Sequence, residues 1–540
     1  MPDSRQQISK FIAVFASGTM LSRVLGLVRD IVLARFIPTE SLGLFWAAFR
    51  LPNTLRDLLG EGATNAAFVP TFAEAKDTQT PEEYRRTVSA VYSVMWLVFS
   101  VVTVAGILVA PFAPHLLGAL DTFTGDGSAG ADALTIVRMI QWTFPYIFFI
   151  GLGVFCMAPL FVARHYGTPS WSPVLLSVAL IASCVFLRGY FEEPAWALVI
   201  GVWVGGVAQM AVLTWAMWKH VGVLWPNFEF ANPAIRKCAA LLTPVVVGQS
   251  AGPINKWVNT FFAVSLGTST VTALTYANNL VQLPLSIFGV AVSVAILPSI
   301  SRSGARGEMH LVRETLMHGL RQSFFLVMPA MALLMVLSGP VVRLLFERGE
   351  FGAETTAQTA AATLYYGSGL LAFAWVKVCV QGFYAVKDTK TPVAAAAISM
   401  VLNIGLNFVL VGPMGFRGLA LATTIAYAVN FVLLYYLLCR RYGLLCNLDM
   451  IAVLLRMSSA CVCAAVVALG VLWAVEHYAF GPLFLQKFLA VALPGGAGVL
   501  LYAGLSHLFR LEEFRTLLAA VRRRNAPPAA AIDTGNGGPG

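Results

Sequence analysis

Apolar runs of about 20 residues, each long enough to cross a hydrocarbon core of about 30 Å, recur along this chain from end to end. Short clusters of Pro, Gly and charged residues separate them. The pattern predicts about fourteen membrane-spanning helices. The first six lie near 9–37, 42–73, 87–111, 133–163, 171–190 and 195–218. The next six lie near 237–266, 270–300, 315–346, 356–386, 392–411 and 416–440, and the last two near 450–475 and 484–509. They are called spans 1 to 14 below.

Composition removes the alternative that 540 residues would otherwise suggest, a string of soluble domains. Hydrophobic residues make up 58% of the chain, charged residues 11%, and the mean hydropathy is +0.76. A soluble surface needs about a quarter of its residues charged. The fold class is therefore an all-α polytopic membrane protein. Arg5 and Lys10 precede the first apolar run, as in a signal peptide. That run continues past Phe36 and carries Arg23, Arg29 and Asp30, so it is expected to be retained as span 1.

Net charge is +10, and its distribution orients the chain. With an even number of spans both termini share one side. Placing them in the cytoplasm collects Lys76, Arg85, Arg86, Arg164, Lys219, Arg236, Lys237, Arg302, Arg306, Lys387, Arg440 and Arg441 on the inside. The opposite loops are relatively acidic, at Asp121, Asp126, Asp132, Glu192 and Glu193. Basic residues gather in cytoplasmic loops, so the excess marks orientation and not nucleic-acid binding.

Two stretches repeat. Leu51-Pro52 followed by Ala63, Ala67 and Pro70 matches Leu283-Pro284 followed by Ala291, Ala295 and Pro298. Phe161-x-Ala163 before Thr168-Pro169 matches Phe383-x-Ala385 before Thr391-Pro392. The order predicts a duplicated six-helix unit: an N-lobe at 1–222, a C-lobe at 223–445, two further spans at 446–512, and a disordered cytoplasmic tail at 513–540. Copies with an even number of helices share orientation, so their pseudo-two-fold axis runs along the membrane normal and the halves can rock around a cavity.

Eight cysteines and seven histidines are scattered without a CxxC pair or a ligand spacing, and no metal site, P-loop or nucleophile constellation is found. The chemistry lies in charges within the spans. Span 1 holds Arg23, Arg29 and Asp30; span 2 holds Arg50, Arg56, Asp57 and Glu61, with Pro52 predicting a kink. A charge at mid-bilayer costs at least about 2.5 kcal/mol, so this density must face a cavity or pair internally. Arg–Asp pairing between spans 1 and 2 is one explanation. The other is a basic cavity: four arginines exceed three carboxylates, and Lys256 and Lys377 add to the surplus. Guanidinium suits a phosphate or diphosphate, with the carboxylates positioning it. A cation exporter would show uncompensated acid instead, and a glycosyltransferase would need acidic residues in a sizeable loop.

At these residues the sequence resembles a known family. S-R-V-L-G-L-V-R-D in span 1, F-R-L-P-N-x-L-R and G-E-G-A…A-F-V-P in span 2, Q-L-P-L-S-I-F-G-V-A…I-L-P in span 8, and F-Y-A-V-K-D before K-T-P are similar to the MurJ (MviN) lipid II flippases. The resemblance implies the MOP exporter fold, two six-helix lobes around a V-shaped cavity, with the last two helices forming a groove for a lipid tail. It implies a cargo, undecaprenyl-diphosphate-linked disaccharide pentapeptide, moved outward across the bacterial inner membrane without catalysis. The nearest alternative is a MOP-type flippase for another polyprenyl-diphosphate-linked oligosaccharide; a multidrug antiporter is disfavoured.

The resemblance places substrate-binding arginines at Arg23, Arg29 and Arg56, with Arg50 as the basic site of the kinked span 2, and gives gating or ion-pair roles to Asp30, Asp57 and Glu61. Two positions depart from it: Gly43 stands where the family usually has Asp, and Asn279 stands where it usually has Arg, so Lys256 or Lys377 would have to supply that charge. Some members carry a sodium site, here represented by Asn403, Asn407 and Thr423, though ordinary amide hydrogen bonding between helices accounts for these better. No cofactor is implied. Coupling to membrane potential, Na+ or H+, a monomeric state, membrane lipids as neighbours and contact with the wall-elongation or division machinery complete the expectations.

Overall fold

A computed structural model describes residues 3–58, 67–112, 129–478 and 482–525. Every regular element among them is helical. Span 1 is Asp3–Phe36; span 2 is Thr39–Asp57, with Val69–Thr78 after the undescribed 59–66; span 3 is Pro81–Val109. Span 4 joins Ala129–Thr143 to Pro145–Val162, span 5 joins Gly167–Trp171 to Pro173–Leu187, and span 6 is Ala195–Val221. Span 7 joins Pro233–Gln249 to Ala251–Ser265, and span 8 joins Thr268–Pro284 to Ala291–Ala305. Span 9 is Met309–Val336 with Ser338–Leu345, and span 10 is Ala353–Ser368 with Leu370–Tyr384. Lys390–Met414, Phe416–Tyr442, Leu448–Tyr478 and Leu483–Leu508 are spans 11 to 14.

By length and composition, ten of these helices can cross a membrane, and eleven with span 10, whose halves meet at 41°. The other three expected spans, 1, 2 and 7, coincide with helices that hold the interior charges or breaks. Proline sets several breaks. Pro145 and Pro173 each open the second half of a span, where the missing N–H has no intrahelical partner to lose.

The sequence repeat has a structural counterpart. Leu283-Pro284 leads into a π-helical turn at 285–290, and π-helical positions at Leu58 and at Ala67–Phe68 follow Leu51-Pro52. The wider turn accommodates a ring that removes one hydrogen bond and crowds the preceding carbonyl. The second repeated motif is closer still. Arg164 (φ 61°) and Lys387 (φ 59°) are both left-handed. Each ends a helix as a Schellman turn: His165 N–H donates to Leu160 O (2.8 Å), and Asp388 N–H to Phe383 O (3.0 Å). Each turn is closed by a side-chain bond three residues on, His165 with Thr168 (2.8 Å) and Asp388 with Thr391 (2.8 Å).

Within each half the spans pack on one another, notably 4 and 5 on 6 in the first and 11 and 10 on 12 in the second. Gly201 and Gly205 form a G-x-x-x-G face in span 6: a Cβ on either would strike Ser183 or Leu176 of span 5. Between halves, span 2 packs against spans 8 and 7. Spans 13 and 14 pair and dock on span 9, with Tyr502 Oη donating to Phe325 O (3.0 Å). Their outer faces are bare of protein. Leu455, Val462, Val466 and Trp473, on one stripe of span 13, are each more than half exposed, as a lipid-facing surface requires.

One expectation is corrected. Residues 513–525, assigned above to a disordered tail, belong to the helix Glu512–Asn525. Its Glu513 carboxylate, 1% exposed, pairs with Arg321 of span 9 at 2.6 Å, which docks the helix. Residues 526–540 lie outside the described residues.

Candidate functional site

Span 2 enters the interface between the halves, and Arg50 crosses it. Its Nε donates to Thr260 Oγ1 of span 7 (3.2 Å) and its Nη2 to Thr275 Oγ1 of span 8 (3.1 Å). Beneath it lies a cavity of about 300 Å3, lined by Arg50, Lys256 and Lys377 as cations and by the amides of Asn255, Asn259, Asn278 and Gln282. Tyr366, Phe373 and Tyr427 complete the wall, and among the described residues no carboxylate lines it. Periodicity accounts for the lining: 252, 255, 256, 259 and 263 on span 7, and 271, 274, 278, 282 and 285 on span 8, are helical stripes. The cavity is polar and electropositive inside a membrane bundle, suited to hold an anionic group out of lipid.

Sequence reasoning located Arg50, Lys256 and Lys377. It did not find Asn255, Asn259, Thr260, Asn278 or Gln282, although their polar stripes on otherwise apolar helices were legible.

The remaining arginines stand outside that lining. Arg23 is exposed and donates to Ser286 of span 8. Arg29 is held by its neighbour Asp30 through Nε and Nη2 (3.0 and 2.8 Å), and its guanidinium lies over the Trp46 ring at 5.4 Å. Asp30 is 2% exposed, and its second oxygen accepts from Asn279 Nδ2 of span 8 at 2.9 Å. The buried carboxylate is thus matched by one cation of its own helix and one neutral amide from the other half. Among the described residues, Asp30 thus pairs with Arg29 of its own span and with Asn279. Arg56 is half-buried, and the Asp57 side chain and all of Glu61 lie outside the described residues.

Asn403 and Asn407, both 0% exposed, and Thr423 come together with Asn259. Asn407 Nδ2 donates to Asn259 Oδ1 (2.7 Å) and Asn403 Oδ1 (3.3 Å), while Asn259 and Asn403 both donate to Thr423 Oγ1 (3.1 and 3.3 Å). The network ties spans 7, 11 and 12. Asn407 Oδ1 is buried without a donor.

Gly43 faces the start of span 8, where a Cβ would run into the Thr268 carbonyl, and Gly349 likewise lies against Arg35 O. With Thr272 Oγ1 donating to Thr39 O (2.9 Å), these contacts seal one end of the seam between the halves. At the other end the halves are joined by the exposed ion pair Lys237–Glu74.

A helical bundle of two packed halves around a basic cavity has the architecture of a membrane transporter. The family described as "Lipid II flippase MurJ" matches residues 9–491, and this chain belongs to it. A Vibrio cholerae protein named "Probable lipid II flippase MurJ" is 35% identical over 426 residues, covering 78% of this chain and 81% of that one. Among solved structures, a lipid II flippase MurJ in an inward closed conformation superposes with a TM-score of 0.73 at 23% identity, covering 94% of this chain and all of that one. An inward-facing multidrug resistance MATE family transporter of the MOP superfamily gives 0.62 at 15% identity, covering 80% of this chain and 98% of that one. These neighbours share the fold of this chain.

Proposed function

We propose that this protein flips lipid II, carrying the diphosphate-linked head group from the cytoplasmic to the periplasmic leaflet by alternating access. The observation that carries the reading is the cavity between the halves, with Arg50, Lys256 and Lys377 in its wall and no carboxylate among the described lining residues. A diphosphate spreads its charge over several oxygens, and the planar Arg50 fork already holds two hydroxyl oxygens that phosphate oxygens can replace. Each such replacement exchanges a neutral hydroxyl acceptor for an anionic phosphate oxygen, so substrate loosens the tie between span 2 and spans 7 and 8 while gaining affinity.

Arg29 and Asp30 serve the seam. Asn279 binds Asp30 across the halves, and opening must break that bond. Arg23, at the rim, meets the head group first. No bond of the substrate is made or broken, and the protein works as a monomer. Both termini lie in the cytoplasm, a reading supported by the basic inner loops. A cavity with surplus positive charge is driven by membrane potential, worth roughly 2.3 kcal/mol per charge per 100 mV. The oxygens of Asn403, Asn407 and Thr423, with the unpartnered Asn407 Oδ1, suit a hard cation; without a carboxylate they hold it weakly.

Complementation of a strain depleted of its own flippase tests the reading. The chain is expected to restore growth, Arg50→Ala to abolish rescue at equal expression, and Arg50→Lys to rescue partially, because one ammonium cannot reproduce the fork. Failure of the unaltered, membrane-inserted chain to rescue, or full rescue by Arg50→Ala, would overturn it.

A further inference from the structure

A second cavity, also of about 300 Å3, adjoins the first and has the opposite character. Leu51 and Ala47 of span 2, Gly106, Val109 and Phe112 at the end of span 3, Ile136, Ile140 and Phe144 of span 4, and Trp257, Phe261 and Val264 of span 7 form most of its wall. It lies in the half of the bundle that holds the 1–2 and 7–8 connections, the outer half in the proposed orientation.

Three features mark it as more than a packing gap. Arg50 and Thr260 line both cavities, so the polar and apolar chambers share a wall made of a guanidinium and a hydroxyl. Val109 and Phe112 are 62% and 68% exposed, so the chamber opens sideways toward lipid. Trp257 keeps its indole N–H buried without an acceptor beside this otherwise hydrocarbon surface. Leaving a buried donor unmade costs about 1–3 kcal/mol, which an oxygen-bearing ligand would recover. A Cβ on Gly106 would strike the Phe144 ring, so this glycine lets the ring form the chamber wall.

The pair of chambers has the shape of an amphiphile: anion on one side of Arg50, hydrocarbon on the other. We infer that the apolar chamber seats the first isoprene units of the diphosphate lipid while its head group is at Arg50, making the seam of spans 2 and 7 the path by which the chain enters the outer leaflet. The inference rests on the proposed function and adds to it a place for the chain distinct from the groove of spans 13 and 14. Apolar walls alone would accept any acyl chain; the shared cation selects a chain whose anionic group sits at its very end, within reach of both chambers.

Photolabelling of the full-length chain in nanodiscs tests it. One probe is a polyprenyl diphosphate with a diazirine on the isoprene unit next to the diphosphate; the other is a phosphatidylglycerol with a mid-chain diazirine. The prenyl probe is expected to label Leu51, Phe112, Ile140 or Phe261, and unlabelled undecaprenyl diphosphate to suppress that labelling. Ala47→Trp, which fills the chamber, is expected to lower labelling on the order of tenfold, while Val204→Trp on the exposed face of span 6 leaves it unchanged. The unaltered chain decides the matter even if Ala47→Trp misfolds. Competed labelling found only elsewhere, or equal labelling of the chamber by the phospholipid probe, overturns the inference and leaves the flippase reading standing. Prenyl labelling that undecaprenyl diphosphate competes nowhere on the chain overturns both.

Discussion

Asn279 shows how one position can be read from sequence and still be understood only in the folded chain. Its departure from the arginine usual in the family suggested a charge lost from a diphosphate clamp. In the structure the amide donates to Asp30, whose other oxygen is already taken by Arg29. The local charge is balanced without an arginine, and two further cations, Lys256 and Lys377, line the cavity with Arg50. Asn279→Arg is therefore expected to keep transport within about twofold of the unaltered chain, since the new guanidinium can still reach Asp30. Asn279→Leu strands a buried carboxylate oxygen and is expected to lower stability by about 1–3 kcal/mol, read as a drop in melting temperature. Equal melting temperatures for the two variants would show that the bond to Asp30 contributes nothing. The arginines of spans 1 and 2 were conspicuous because lipid excludes charge. Which of them faces the cavity was not legible, because Arg29 and Arg50 differ by partners on distant helices.

At the level of elements, hydropathy located the spans because hydrocarbon leaves no other way to satisfy a crossing backbone. The prolines that open the second halves of spans 4 and 5, Pro145 and Pro173, were legible but went unread, and Pro52, where a kink was expected, lies inside the single helix Thr39–Asp57. The helix after span 14 was passed over, although Phe514, Leu517, Leu518 and Val521 follow a helical stripe; its charged ends disguised it as tail. Helix contacts were the least visible feature, since apolar side chains pack equally well in many registers. Small residues settle the register. Gly201→Leu is expected to push span 5 from span 6 and lower stability by about 1–3 kcal/mol, whereas Gly405→Ala, with open space around it, is expected to be neutral or stabilising by up to about 1 kcal/mol. Thermal melts of the two purified variants compare them directly, and similar melting points would refute the packing role.

The turn between spans 4 and 5 adds a dependence on pH. The His165 ring stacks on His220 at 4.2 Å, close to Lys219. Loss of solvent, then the positive charge that His220 and Lys219 present, holds His165 below the ordinary histidine pKa. The fold thus favours neutral His165 relative to the unfolded chain. That contribution is complete above the unfolded value of about 6.5 and is lost as pH falls through it toward the lowered folded value. The melting temperature is expected to fall between pH 8 and 5.5, and to fall less in His165→Gln, which keeps a polar group near Thr168. An identical fall in both proteins would assign the effect elsewhere.

Across the whole molecule, the two ends of the seam between the halves are held by different means. At the end of the 1–2 and 7–8 connections, backbone meets backbone at Gly43 and Thr268 and at Gly349 and Arg35. At the other end a surface ion pair, Lys237 with Glu74, of a kind worth at most about 1 kcal/mol, lies beside an apolar cluster in which Cys238 of span 7, 2% exposed, joins Phe72 and Ala75 of the first half. Opening the opposite end requires span 2 to leave span 8, and with it Arg50 to leave Thr275 and Asp30 to leave Asn279. Because Gly43 permits the tightest approach, a side chain there should bias the molecule toward that opened state. In a background freed of the eight native cysteines, Asn278→Cys on the cavity wall reports it. Adding Gly43→Asp is expected to raise the rate of labelling by a membrane-impermeant maleimide, applied from the periplasmic side, on the order of tenfold, equivalent to a population shift of about 1.4 kcal/mol. An unchanged rate in a stably folded double variant would mean that the seam opens by some route other than separation of spans 2 and 8.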